Sequence, residues 1–136
     1  SDWVRGGGGS LCVWQRAIPG EFNGGWYAFR AWVEDKGGYT EGEATVLDWE
    51  RLRPPVRVRT WAAGDRFQPA GASEAKPVKE FFERARIPSW DRGQWPMITD
   101  SDGIVWIYRF GTAARAAAGS STRVRLQVRC DTVSSK

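Results

Sequence analysis

Residues 56–61 read VRVRTW and residues 75–88 read AKPVKEFFERARIP. In the first stretch Val56, Val58 and Thr60 fall on one side of an extended chain, and Arg57, Arg59 and Trp61 on the other. Such alternation belongs to a strand of an antiparallel sheet that buries one face and shows the other to water. In the second stretch Val78, Phe81, Phe82 and Ala85 recur at helical spacing and form an apolar stripe. Lys76, Lys79, Glu80, Glu83, Arg84 and Arg86 supply the wet side. Pro77 suits the first helical position and Pro88 ends the helix at Ile87, after about ten residues. Strands around one short amphipathic helix predict an α+β domain.

Working outward, Leu11–Arg16, Trp26–Val33 and Ala44–Trp49 read as strands upstream. Pro96–Thr99, Ile104–Phe110 and Arg123–Cys130 do so downstream. In Trp26–Val33, Tyr27, Phe29, Ala31 and Val33 share a face, and Trp26, Ala28, Arg30 and Trp32 the other. In the last strand Val124, Leu126, Val128 and Cys130 point inward, and Arg123, Arg125, Gln127 and Arg129 outward. Ile18-Pro19-Gly20, Asn23-Gly24-Gly25 and Asp100-Ser101-Asp102-Gly103 are turn signals. Glu34–Glu43 and Ala63–Ser73 read as loops, Asp48 as the cap of one helical turn, and Ser89–Trp95 as a further turn. The expectation is a single domain of about seven mostly antiparallel strands with one or two short helices. Residues 1–10 read as a flexible Gly-rich leader, 11–130 as the domain and 131–136 as a tail.

The 136 residues, 15.3 kDa, are one domain of ordinary size. Such a domain buries roughly two thirds of the surface of its unfolded chain. A TIM barrel does not fit. Without histidine the chain cannot run histidine-dependent catalysis, and two cysteines, Cys12 and Cys130, cannot make a four-thiolate zinc site. Their sparse spacing reads as reduced thiols of a cytoplasmic protein. No apolar run approaches the roughly 18–20 residues of a membrane span. The GGGGS of residues 6–10 lacks the strand, helix and lysine of a phosphate loop, and Asp100–Gly103 lacks the glutamate of a calcium loop. No catalytic residue, no metal site and no cofactor is expected in this chain.

What survives is charge. Residues 1–56 carry 6 basic and 8 acidic groups, and residues 57–136 carry 14 and 8. Sixteen of the 20 cations are arginine, whose planar fork suits phosphate. Arg57 and Arg59 share one strand face, Arg123, Arg125 and Arg129 another, and Arg66, Lys76, Lys79 and Arg92 occupy the central loop and the helical region. Phosphates spaced along a duplex favour such a spread. A solvated face is the competing reading. The nine tryptophans read mainly as core, with base stacking as the lesser alternative.

Four segments then follow in order: VRTWAAGDRFQPAG (58–71), AKPVKEFFERARIP (75–88), DRGQWP (91–96) and TDSDGIVW (99–106). Together they resemble the C-terminal domain of bacterial tRNA(Ile)-lysidine synthetase. In that family an arginine-bearing strand leads into GDRF-x-P-x-G, a lysine-bearing helix start, V/I-P and a D-G-D-G-I-V-W segment. IPGE (18–21) and VLDWERL (46–52) extend the resemblance to about residues 17–128. Glu74, Ala75 and Pro77 stand where the family usually carries lysine or serine. Arg109-Phe110-Gly111 reverses its usual glycine-then-arginine order. A related fold is an inserted module of the phenylalanyl-tRNA synthetase beta chain.

The resemblance implies a non-catalytic module that binds the acceptor-stem side of isoleucine tRNA. Its partner is the N-terminal catalytic domain of the same full-length protein. That domain uses ATP to join lysine to cytidine 34 and carries an SGGxDS loop. The RNA-binding candidates are Arg57, Arg59, Arg66, Lys76, Lys79, Arg92, Arg123 and Arg125. Gly64, Asp65, Phe67, Pro69 and Gly71 are expected to build the loop. Asp65 is expected to bind backbone N–H groups or Arg66, and Arg66 to be its partner or an RNA contact. The alternative is a structural or protein-interaction domain with a merely solvated basic face.

Overall fold

The computed structural model describes residues 15–23, 27–34 and 45–132. In chain order the strands are β1 (Gln15–Ala17), β2 (Gly20–Asn23), β3 (Tyr27–Glu34), β4 (Thr45–Asp48), β5 (Arg57–Thr60), β6 (Arg66–Phe67) and β7 (Lys76–Pro77). Helices α1 (Val78–Arg84) and α2 (Ser89–Arg92) follow, then β8 (Pro96–Asp100), β9 (Gly103–Ile107), β10 (Gly111–Thr112) and β11 (Arg125–Thr132). Single 3-10 turns occupy Trp49–Arg51 and Ala114–Ala116. The Gly-rich leader, Leu11–Trp14 with Cys12, Trp26, all but the first residue of the loop predicted over Glu34–Glu43, and residues 133–136 of the tail lie outside the described residues.

One sheet has the order β1-β5-β8-β9-β10, the second β2-β3-β11-β4, and β6 with β7 forms a ribbon. Every named strand pair is antiparallel. Seven strands match those predicted, and β2, β6, β7 and β10 are additional. These four hold two to four residues each, too few for alternation to show. Gly20, predicted as part of a turn, already begins β2.

Alternation along the first sheet makes three layers. Val58, Ile98 and Trp106 meet Tyr27, Phe29, Ala31, Leu47, Leu126 and Val128 of the second sheet in one core. Met97 and Ile107 point the other way and meet Phe67, Val78, Phe82, Ile87 and Trp95 beneath the helices and the ribbon. Ile98 pairs with Trp106 but Thr99 with Ile104, so Val105 is the extra residue of a β-bulge. The bulge lets Val105 and Trp106 enter the same core.

The structure corrects three details. Helix α1 has seven residues, and Lys76 and Pro77 belong to the ribbon, where Phe67 pairs with Lys76. Lys76 and Lys79 therefore do not share a helix side. The helix ends before Pro88: Ile87 N–H donates to the Phe82 carbonyl at 2.9 Å and Arg86 N–H to Glu83 at 3.1 Å. Arg86 has φ 61°, which completes a left-handed Schellman cap. Gln127, predicted outward, is buried between its cross-strand neighbours Trp32 and Val46 and donates to Glu34 Oε1 at 2.6 Å.

Candidate nucleic-acid interface

Arg59 and Asp65 set the loop after β5. The guanidinium donates to both carboxylate oxygens at 2.9 and 3.0 Å and to the Thr60 carbonyl at 2.8 Å. Asp65 also accepts the Ala62 N–H at 2.8 Å. Both side chains are largely covered. A bidentate pair with little solvent contact positions a backbone and has few donors left for a ligand. The backbone and Arg59, rather than Arg66, satisfy Asp65. Gly64, at φ 93°, makes the turn that returns Asp65 toward Arg59. Phe67 is buried, Pro69 bridges to Ala113, and Gly71 follows in the next bend.

Arg66 is exposed and donates to the Ala75 carbonyl across the ribbon at 3.0 Å. Lys76 is exposed on the facing strand. Arg57 is exposed on the same face of β5 as Arg59. Lys79, also exposed, pairs loosely with Glu83 at 3.9 Å. Arg92 is half-buried, donates from Nε to the Ile87 carbonyl at 2.9 Å, and lies 5.6 Å from the Phe82 ring. It fastens α2 to the end of α1.

Arg123 and Arg125 lie elsewhere. Arg125 sits on β11 in the second sheet, with its side chain on the face turned away from the first sheet, where Gln127 also points. Arg123, just before it, grips Glu50 at 3.0 and 3.3 Å. The helices cover the opposite side of the molecule. The eight candidates therefore do not share one surface.

Ion pairing differs between the two sides, although the exposed Arg16, 4.9 Å from the Phe22 ring, also has no carboxylate partner among the described residues. Near the second sheet Arg30 pairs with Glu21, Arg51 with Asp48, Arg123 with Glu50 and Arg129 with Asp131. On the helix-and-ribbon side the exposed Arg57, Arg66, Lys76, Arg84 and Arg86 have no carboxylate partner among the described residues. Glu80 stands one turn before Arg84 without pairing to it, and Glu74 and Asp91 are likewise without ion pairs. Arg84 and Arg86 were visible in the sequence as wet helix residues. Their freedom from ion pairs was not, because Glu80 is placed in sequence to pair with Arg84.

A groove of ≈470 Å3 opens beside the ribbon, lined by Arg66, Gln68, Ala75, Asp102 and Arg115 among others. Arg115 donates to both oxygens of the buried Asp100 at 2.7 and 2.9 Å. Asp100 also accepts the N–H groups of Arg53 and Asp102 at 3.0 and 2.9 Å. Burial raises the Asp100 pKa, but the Arg115 hydrogen bond, the two N–H groups and the Arg115 charge outweigh it and hold the carboxyl at about 2. No spacing rule links residues 100 and 115, so the sequence carried no signal of the pair. Cys130 is a free thiol, pushed up to about 12 by burial and by Asp131. The described residues hold no cluster of three metal-ligating side chains, and none of their helices is long and apolar enough to cross a membrane.

The sequence model of the TilS substrate C-terminal domain matches residues 56–128, more than half of the chain. A tRNA(Ile)-lysidine synthase of Solibacter usitatus is 44% identical over 86 residues, 63% of this chain and 20% of that protein. The chain thus spans about a fifth of the length of that curated relative. A crystal structure of a TilS C-terminal domain superposes with a TM-score of 0.68 at 28% identity, covering 80% of this chain and 86% of the other. An N-terminal fragment of the phenylalanyl-tRNA synthetase beta-subunit from Pyrococcus horikoshii gives a TM-score of 0.43 at 18% identity over 62% of this chain and 27% of that one.

Proposed function

The chain belongs to the family of TilS substrate C-terminal domains, and on that footing we propose that it is the tRNA-docking module of a tRNA(Ile)-lysidine synthase. In this reading it acts in the cytoplasm and grips the acceptor-stem side of isoleucine tRNA without taking part in the chemistry. An N-terminal domain of the full-length protein binds ATP and joins lysine to cytidine 34. The observation that carries the reading is the set of exposed cations without carboxylate partners on the helix-and-ribbon side: Arg57, Arg66, Lys76, Arg84 and Arg86. Cations already neutralised by a carboxylate release few counterions from RNA, whereas unpaired ones contribute fully. Lys79, with only a 3.9 Å pair, joins the set. Arg59 and Arg92 hold the loop and α2 in place for it.

The test is a salt series of binding to unmodified isoleucine tRNA. Affinity should fall steeply with salt, with a log–log slope close to the number of phosphates neutralised. Replacing Lys76 and Lys79 together with alanine should flatten that slope by up to about two units and leave the circular dichroism spectrum unchanged. Absence of wild-type binding at about 50 mM salt would favour a structural or protein-interaction role.

A further inference from the structure

We infer that Trp90 is a stacking platform for an unpaired base at the single-stranded 3′ end of the docked tRNA, an inference that rests on the docking reading above. Trp90 is 77% exposed, and the other large apolar side chain exposed among the described residues is Val33 at 36%. The remaining described tryptophans are committed elsewhere. Trp32 donates to Glu34 beneath Arg30, Trp49 packs against the inter-sheet core, and Trp61 meets Phe82 edge-on. Trp95 donates to the Tyr108 carbonyl, and Trp106 packs between the sheets. Trp90 has no ring contact and no hydrogen-bond partner among the described residues.

Its support is rigid. Pro88 precedes α2 at φ −60°, Asp91 N–H donates to the Pro88 carbonyl at 3.0 Å, and Trp95 N–H to Arg92 at 3.2 Å. Arg92, two residues after Trp90, is bonded to Ile87 and lies over Phe82, at the centre of the second core. Trp90 is thus presented to solvent by a backbone anchored on both sides, so that binding has mainly the indole rotamer left to fix.

The surroundings select the occupant. Ser89 is exposed, Asp91 is half-buried, and the exposed Arg84 and Arg86 close the preceding helix. A protein hot spot places its tryptophan in a desolvated apolar patch. A lone indole, four and six residues along the chain from Arg86 and Arg84, which have no carboxylate partner among the described residues, suits a π-face carried on a phosphodiester chain. A paired stem hides the faces of its internal bases. The acceptor side of a tRNA offers open ones at its single-stranded end.

The test is a two-by-two cycle on the 136-residue chain. Wild type and Trp90→Ala are each titrated with unmodified isoleucine tRNA and with the same RNA lacking its single-stranded 3′ end. On the intact RNA Trp90→Ala should weaken binding roughly 5- to 100-fold. On the trimmed RNA the two proteins should agree within about twofold, and wild type should itself lose affinity on trimming. Trp90→Phe should keep most of the affinity. Thermal unfolding should be unchanged in both variants, because the ring is exposed. Equal loss on both RNAs overturns the inference and places the Trp90 contact elsewhere on the RNA, whereas no loss on the intact RNA overturns it and points Trp90 toward a protein partner; both leave the docking reading standing. Failure of wild type to bind either RNA at low salt removes the docking reading, and this inference with it.

Discussion

Two residues show how a single side chain supports this domain. Asp100 is a buried carboxylate whose ionised form is held by Arg115 and two backbone N–H groups. Its folded pKa, about 2, lies below the roughly 3.9 of an unfolded aspartate. A depressed folded pKa stabilises the native state above the unfolded value, and that contribution is lost as pH falls from about 4 through 2. Asp100→Asn should cost about 2–3 kcal/mol near neutrality, which is what a carboxyl pKa depressed by about two units represents. Urea unfolding at about pH 6 and pH 2.5 should show the gap between wild type and variant shrinking at the acid end. A pH-independent gap would mean that the charge contributes nothing. Arg86 shows the opposite economy. A non-glycine residue at φ 61° carries strain of about 1 kcal/mol. Arg86→Gly should raise stability by about that much while weakening tRNA binding, and the two readouts should move in opposite directions. Loss of stability would mean that the arginine side chain supports the helix end.

At the scale of elements, legibility followed length. β5 and α1 were readable because four or more consecutive residues repeat one period, and the structure buries Val58, Thr60, Val78 and Phe82 accordingly. The ribbon of β6 and β7 has two residues per strand, and pairing across an eight-residue loop fixes it rather than pattern. Lys76 was misplaced for that reason, and so was the start of α1. Gln127 was misread because a polar residue on an alternating strand signals water unless its neighbours are known. Here Trp32 and Val46, from two other strands, flank it. The helix stripe supports a quantitative expectation. Phe82 is fully buried, meets Trp61, Trp95 and Phe110 edge-on, and has Arg92 nearby. Phe82→Ala should cost about 3–5 kcal/mol in urea unfolding. Phe81, half-buried against Phe67 and Phe110, should cost roughly half as much. Equal costs for the two would mean that the core is not centred on Phe82.

At the scale of the whole molecule the first sheet separates two sides whose cations differ in how often they are ion-paired. The sequence showed the cations and their share of each half, but strand alternation alone could not say which faces end up on the same side. Arg57 and Arg123 read alike along the chain. The fold places them on different layers, and Glu50 claims one of them. Two double variants can separate local contact from the general attraction of a basic protein for RNA. Arg66→Gln with Lys76→Gln removes two charges from the helix-and-ribbon side. Arg123→Gln with Arg129→Gln removes two from the second-sheet side, where Glu50 and Asp131 already neutralise them. Both lower the net charge equally, so any long-range field effect should be shared. The ribbon pair should flatten the salt dependence of tRNA binding by about two units, and the second-sheet pair should change it by well under one. Equal slopes for both variants would mean that net charge, rather than the ribbon side, draws the RNA. A larger loss from the second-sheet pair would move the interface to β11, requiring tRNA to displace the carboxylates that hold Arg123 and Arg129.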